Sequence, residues 1–327
     1  MEEAEFWKVE RKTIRCFACF RNCFFSKSDL GFCRVRKKVR QKLYALNYGK
    51  VFSEKKVNVE SLPFYHFYPG SKFHLLSILG TNFKGPIGFE AGYERKLNKI
   101  KEKDPEEVVK SLKKKVDGIA LGGDLLSEPF VYPEFAYRLV RSAKKENLKT
   151  AIITNGFGNN EVVKKISKYL DGALILLHSF GDPEFYRKYA EVKQMDALFK
   201  TIKQFKKQRV FLEFGIYVTD AQDVERSRNF AIWLTHELSA EIPVHLLVSP
   251  VPYFKVPLSF LEECAEELKR RGLRYVYIPQ FPHSLNHTYC YNCFEKVIER
   301  EVDKLKNVNL VRGRCPNCGF RINLKTE

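Results

Sequence analysis

The chain has 327 residues, with 57 Lys and Arg against 39 Asp and Glu, a formal net charge of +18. Hydrophobic residues are 44% and charged residues 29%, a globular composition that excludes the disordered and collagen-like classes. No apolar run approaches the ~18 residues needed to cross a bilayer, and the mixed, acidic start is not a signal peptide, so a cytoplasmic protein with no membrane partner is expected. The positive charge favours a polyanionic partner, and two Met among many Lys, Arg and Glu are also the composition of a thermophile.

Residues 1–60 read as a basic, cysteine-rich metal-binding module, with 15 Lys and Arg against 7 Asp and Glu. Cys16, Cys19, Cys23 and Cys33 fall within 18 residues. Four thiols so close suit one metal ion, zinc first, with an iron–sulfur cluster as the alternative. Phe17, Phe20, Phe24, Phe25 and Phe32 interleave them, and a basic run from Arg34 to Arg40 follows. Basic and aromatic residues around a knuckle suit RNA or a ribonucleoprotein; the other reading is a small apolar core beside a solvated strand edge. Arg34, Arg36, Lys37, Lys38 and Arg40 are the expected nucleic-acid contacts. In a strand, Arg34, Arg36, Lys38 and Arg40 share one face and Lys37 takes the other.

Residues 61–282 alternate strands with helices. Strands are expected at 77–79, 118–121, 150–153, 173–177, 210–218, 244–248 and 275–278. Helices are expected at 105–115, 134–146, 161–170, 195–207, 224–238 and 260–271. Asp104 precedes Pro105 as an N-cap ahead of a first-position proline. Continuous apolar strands between amphipathic helices imply a parallel sheet covered by helices. The number of units suits a partial or full β/α barrel, with a doubly wound sheet as the alternative.

Residues 283–327 read as a zinc ribbon. Cys290 and Cys293 form one Cys-x2-Cys pair and Cys315 and Cys318 another, with 21 residues between the pairs. Two such turns aim four thiolates at one point, which a tetrahedral zinc closes, and a disulfide pair is the weaker alternative. A segment too small for its own core gains its folding energy from the metal. Cys264, alone on a helix, reads as a small buried hydrophobe.

The order of motifs resembles the radical S-adenosylmethionine proteins of the AmmeMemoRadiSam type, relatives of the pyruvate formate-lyase activating enzymes. The resemblance runs nearly end to end. It is carried by Cys16, Cys19 and Cys23, then Gly31-Phe-Cys-Arg-Val-Arg36, Leu43-Tyr44, Tyr48-Gly49 and Pro63-Phe-Tyr-His-Phe-Tyr-Pro-Gly-Ser71. Glu128-Pro129, Glu134-Phe135, Thr154-Asn-Gly-Phe157, Pro243-Val-His245 and the two C-terminal cysteine pairs continue it. The resemblance implies a radical-SAM-like β/α barrel between two cysteine modules.

At the centre of that family's chemistry the chain departs from it. The family's Cys-x3-Cys-x2-Cys, which holds a [4Fe–4S] cluster that cleaves S-adenosylmethionine, matches Thr81, Gly85 and Gly88. Glycine and a hydroxyl cannot replace thiolates on iron. A degenerate member acting by binding is therefore expected, with two zinc sites, no cluster at the family position and no catalytic residue. An enzyme still using S-adenosylmethionine, or a cluster on the N-terminal cysteines, is one alternative; a scaffold for a protein partner is another. A residual S-adenosylmethionine pocket would draw on Gly122, Gly123, Asp124, Glu128, Thr154, Asn155, His178 and His245. For Gly122–Asp124 the bland reading is a chain turn, for Thr154–Asn155 a helix cap, and for the two histidines a structural role.

Overall fold

The computed structural model describes residues 2–89 and 94–326. At its centre is an eight-stranded sheet. The strands are β1 (Val51–Asn58), β2 (Lys72–Ile78), β3 (Gly118–Leu121), β4 (Lys149–Thr154), β5 (Gly172–His178), β6 (Phe211–Val218), β7 (Val244–Val248) and β8 (Val276–Tyr277), and their order in the sheet is their order in the chain. The pairs β2–β3, β3–β4, β6–β7 and β7–β8 are parallel. A doubly wound sheet reverses its strand order at a switch point, and this one does not, so the β/α-barrel type of sheet stands and the alternative falls. Among the described residues no helix is long and apolar enough to cross a membrane.

The helices of eight or more residues are α1 (Pro105–Leu112), α2 (Pro133–Lys145), α3 (Asn160–Ser167), α4 (Pro183–Ala190), α5 (Asp196–Lys207), α6 (Asp223–Glu237) and α7 (Leu258–Arg270). Helix α1 starts as its sequence dictates: Asp104 Oδ1 accepts from the backbone N–H groups of Glu106 and Glu107 at 2.8 and 3.0 Å. Helix α3 is capped by Asn159, whose Oδ1 accepts from Glu161 N at 3.0 Å, rather than by Thr154 or Asn155. Strand β2 is longer than its apolar run of residues suggests. His74 and Ser77 lie inside it and are buried, and Ser77 Oγ donates to Gly122 O at 2.8 Å.

The chain forms two compact units. The first is Met1–Lys56, Phe73–Ala173 and Tyr186–Val210; the second is Val57–Lys72, Leu174–Phe185 and Phe211–Glu327. The first unit opens with antiparallel hairpins, Trp7–Glu10 with Thr13–Cys16 and Arg36–Val39 with Lys42–Ala45. The second closes with an antiparallel sheet of β9 (Thr288–Tyr289), β10 (Lys296–Glu301) and β11 (Lys304–Val308). In that unit Cys290, Cys315, Val297, Ile298 and Ile322 share one buried cluster with Tyr65, Tyr275 and Tyr277. The ribbon therefore packs onto β8 of its own unit and is not a separate core.

Candidate metal centres and strand-end site

The ribbon cysteines converge because two identical turns present them. Cys290 N donates to Glu295 O at 2.8 Å and Phe294 N to Cys290 O at 2.9 Å; Cys315 N donates to Phe320 O and Gly319 N to Cys315 O, both at 2.9 Å. Each turn needs a residue in the left-handed region. Gly319 (φ 73°) takes it without a Cβ penalty, and Phe294 (φ 60°) takes it with one. The sulfurs of Cys290 and Cys318 are 3.5 Å apart and those of Cys293 and Cys315 3.6 Å apart. All four lie within 4.8 Å of one another, and none of the four is in a disulfide. This group can hold one metal ion.

The N-terminal cysteines line one small cavity, with Arg21, Phe25, Phe32 and Val131 among its other walls. Cys16, Cys19 and Cys33 are buried and Cys23 is half-buried. Among the described residues, however, the ribbon four are the one group of metal-capable side chains whose ligand atoms close to within 4.8 Å. The aromatic neighbours of the N-terminal four are mostly core: Phe25 is buried, Phe20 packs on Phe157 at 5.0 Å and Phe32 on Phe89 at 5.8 Å, while Phe24 is exposed.

Among the described residues, the loop after β2 holds no metal donor set. Thr81 is buried and its Oγ1 accepts from Phe83 N at 3.3 Å. The backbone has also closed over the other two positions. A Cβ on Gly88 would lie 2.3 Å from the carbonyl carbon of Phe83, and one on Gly85, at φ +73°, 2.9 Å from Tyr189 O. Phe83, Phe157 and Tyr186 pack together beside it, with ring centroids 5.2–5.6 Å apart. The residues present do not fit the resemblance's [4Fe–4S] cluster.

Polar side chains do meet at the strand ends of the first unit. Glu128 is buried and accepts from Thr154 Oγ1 at 2.7 Å, Asn155 N at 2.8 Å and Phe130 N at 3.1 Å. Asn155 Nδ2 donates to Asn82 Oδ1 at 2.7 Å, and Arg21 Nε donates to Asn82 O at 3.0 Å. Gly122 (φ +105°) turns the chain where a Cβ would lie 2.0 Å from Ile153 O, and Asp124 Oδ1 accepts from Leu126 N at 2.8 Å in the same turn. Gly123 and Asp124 are exposed. Of the expected pocket residues, Glu128, Thr154 and Asn155 therefore form one network, whereas Gly122–Asp124 make a turn. Asn82 and Arg21 were not anticipated; nothing in their spacing singles them out.

Burial raises the Glu128 carboxyl from its ordinary 4.5 to about 7, against the hydrogen bonds that favour its charged form. A raised folded-state value means that the fold binds the proton more tightly than the unfolded chain. The stabilisation is complete below pH 4.5 and is lost as pH rises through 7, by about 3 kcal/mol for a shift of this size. Glu128→Gln keeps the shape of the protonated form. The difference in unfolding free energy between wild type and variant, from urea titrations, is therefore expected to change by that amount between pH 4.5 and 8; parallel curves would refute the assignment.

The two histidines lie in the second unit. His178 ends β5, buried between Tyr217 (ring centroids 4.8 Å apart) and Phe185 (5.9 Å), and burial lowers it to about 3. His245 Nε2 meets Glu213 Oε2 at 2.7 Å, and Glu213 also accepts from the backbone N–H groups of Tyr65 and His66 at 3.0 and 2.9 Å. Arg300 joins the same network, donating to Tyr65 O and Thr288 Oγ1. A buried carboxylate fully used in this way holds the Pro63–Ser71 segment in place, a structural role for His245.

The basic run is not a surface stripe. Arg36 is 2% exposed and forms a bidentate pair with Glu134, Nη1–Oε1 2.8 Å and Nη2–Oε2 2.7 Å, so its place among the nucleic-acid contacts is corrected. Lys38 is half-buried and donates to Phe25 O at 3.3 Å; Arg34, Lys37 and Arg40 are exposed. The turns at Arg34 and Arg40, both at positive φ, confine the strand to residues 36–39 and set Arg36 inward. A larger basic feature escaped the sequence reading. Arg21, Arg187, Lys193 and Lys200 line a broad cleft of the first unit with Phe20 and Asn159, and Glu191 and Asp196 offset part of the charge. These residues come from three distant segments, so no local charge run reveals them.

No family model matches the chain. It is 30% identical over 341 residues to the uncharacterized protein MJ0808 of Methanocaldococcus jannaschii, covering 99% of both chains. Partial likenesses among solved structures include a domain of the pyruvate-formate lyase-activating enzyme from Bacteroides vulgatus (18% identity, TM-score 0.41, 49% of this chain and 98% of that one). Others are Streptococcus suis SuiB (16%, 0.45, 67% and 49%) and methylornithine synthase (21%, 0.40, 55% of each). The chain spans about half the length of the last two. At these scores the likenesses carry no argument, and the fold rests on the sheet itself.

Proposed function

The chain belongs to the same family as the Methanocaldococcus jannaschii protein MJ0808, and on that premise we propose that it works by binding RNA, with zinc in its ribbon and without radical chemistry. The observation that carries this reading is the cleft of the first unit. Arg21, Arg187, Lys193 and Lys200 supply cations, and α3 and α5 begin there with their N-terminal dipoles. Arg187, Lys193 and Lys200 are exposed. The net charge of +18 draws a polyanion toward it. Zinc is the ion that best suits four thiolates 3.5–3.6 Å apart in opposed pairs. The closed loop at Gly85 and Gly88 supports the loss of S-adenosylmethionine cleavage.

Binding of a fluorescent single-stranded RNA, followed by anisotropy across a salt series, tests the reading. Each phosphate contact contributes a log–log slope of about 0.7, so replacing Arg187, Lys193 and Lys200 together by Gln should lower the slope by about 2. A slope unchanged by the triple variant would place the RNA elsewhere. Absence of binding at low salt would leave an acidic protein as the partner. Formation of 5′-deoxyadenosine with dithionite would overturn the loss of radical chemistry.

A further inference from the structure

The two ribbon turns share their hydrogen bonds but not the residue after the second cysteine. Both need a left-handed backbone there: Gly319 stands at φ 73° in one and Phe294 at φ 60° in the other. Glycine takes that conformation freely, whereas a side chain opposes it. The second turn therefore has the residue that local folding selects, and Phe294 is the departure. Packing does not account for it. The ribbon core gathers Leu305, Leu310, Phe320 and Leu324 around Cys290 and Cys315 and does not include Phe294. Phe294 is 77% exposed, more than any other large hydrophobic among the described residues. A bulky ring held in a disfavoured conformation and left in water points to a contact outside the chain.

The chemistry around the ring indicates the partner. Residues 304–326 hold six Lys and Arg and no Asp or Glu. Of the acids just before them, Glu299 pairs with Lys296 at 2.7 Å and Glu301 pairs with Lys306. Arg312, Arg314 and Arg321 are exposed, and Arg314 Nη1 donates to Gly319 O at 3.1 Å, which fixes its guanidinium beside the second turn. The turns meet through their sulfurs: Cys293, next to Phe294, and Cys315, next to Arg314, are 3.6 Å apart. The ring and the guanidinium are thus carried on facing turns. Tyr291, on the first turn, is also exposed, with the Arg274 guanidinium 4.6 Å over its ring. Exposed rings among arginines suit single-stranded RNA, whose bases offer π faces and whose phosphates offer charge. An acidic peptide would use the arginines and leave the ring idle; an apolar protein pocket would use the ring and leave the arginines idle.

We propose that the ribbon turns form a base-stacking surface for single-stranded RNA, with Phe294 as the stacking ring and Arg312, Arg314 and Arg321 on the phosphates. The proposal rests on the reading of the chain as an RNA binder. It shares no residue with the cleft of the first unit.

Anisotropy of a short fluorescent oligoadenylate with the full chain, across a salt series, tests it. Stacking is not a counterion effect. Phe294→Gly should therefore weaken binding about 5- to 100-fold with the salt slope unchanged. It should keep the zinc content and the melting temperature, because glycine suits the left-handed position as it does at 319. Phe294→Trp should restore the affinity. Replacing Arg312, Arg314 and Arg321 together by Gln should lower the slope by about 2. The wild-type protein, irradiated with the same RNA carrying one 5-iodouridine, should crosslink within residues 283–327. A Phe294→Gly variant that binds as wild type, or one that loses zinc or melts earlier, would overturn the proposal, the latter by making the ring structural. Crosslinks confined to the first unit would overturn it as well, while leaving the RNA reading in place. A wild-type protein that binds no RNA at low salt would end both.

Discussion

Replacing Arg36 by Met is expected to destabilise the first unit by about 3–5 kcal/mol, the range for breaking a buried ion pair from one side. The guanidinium makes two hydrogen bonds to Glu134 and a third to Val131 O at 3.1 Å, and both partners are almost wholly buried, at 2% and 1% exposure. Burial alone would raise the Glu134 carboxyl; the charge and hydrogen bonds of Arg36 outweigh it and hold the group below its ordinary 4.5. A depressed value means that the pair's contribution is present above pH 4.5 and fades as pH falls below it. In Arg36→Met the carboxylate stays buried without its cation. The double variant Arg36→Met, Glu134→Met should recover most of the loss, because it removes the stranded charge. Urea unfolding of the three variants measures this. Equal stability of single and double variants would show that lost packing, and not an unpaired carboxylate, sets the cost.

This pair also shows what the sequence displays and what it hides. Arg36 and Glu134 both stand in motif fragments, 98 positions apart, and nothing local joins them. A lysine- and arginine-rich run reads as solvated because free cations stay in water; only a buried partner reverses that, and the partner is invisible until the chain folds. The same holds for Arg21 with Asn82 and for Glu213 with His245. By contrast, the parallel strands were legible because strands covered on both faces are apolar throughout, as the fully buried β3 is. The cap at Asp104 and the ribbon turns were legible because their chemistry is local. Helix α4 and the N-terminal hairpins were not, since their short, charged segments carry neither a clear 3.6 nor a clear 2.0 period. The glycines at 85 and 88 announced the loss of thiolates, but only the fold shows that the loop has closed around them.

Removing the zinc proposed for the ribbon is expected to have the larger effect still. A structural zinc contributes on the order of 10 kcal/mol to a small module that cannot fold without it. Here the consequence should spread through the second unit, because the ribbon and β8 bury one another. Cys290 and Cys315 pack with Tyr275 and Tyr277, and Arg300 on β10 donates to Thr288 Oγ1 at 2.9 Å and to Tyr65 O at 2.5 Å. When β10 detaches, Arg300 leaves, the Tyr65 and Tyr277 rings lose a cation 4.3 and 6.0 Å from their centres, and the Tyr277 hydroxyl loses Thr288. Cys293→Ser should therefore lose about one zinc per chain and make the segment 283–327 sensitive to protease. It should also lower the melting temperature of the second unit, because buried tyrosines are uncovered. Reporters in the first unit, such as hydrogen-exchange protection of α2, should change little. If protease removes the ribbon while β8 and the Pro63–Ser71 segment keep their protection, the shared cluster contributes nothing and the ribbon stands alone. If the variant keeps both its zinc and its protease resistance, the four thiolates are not the metal site.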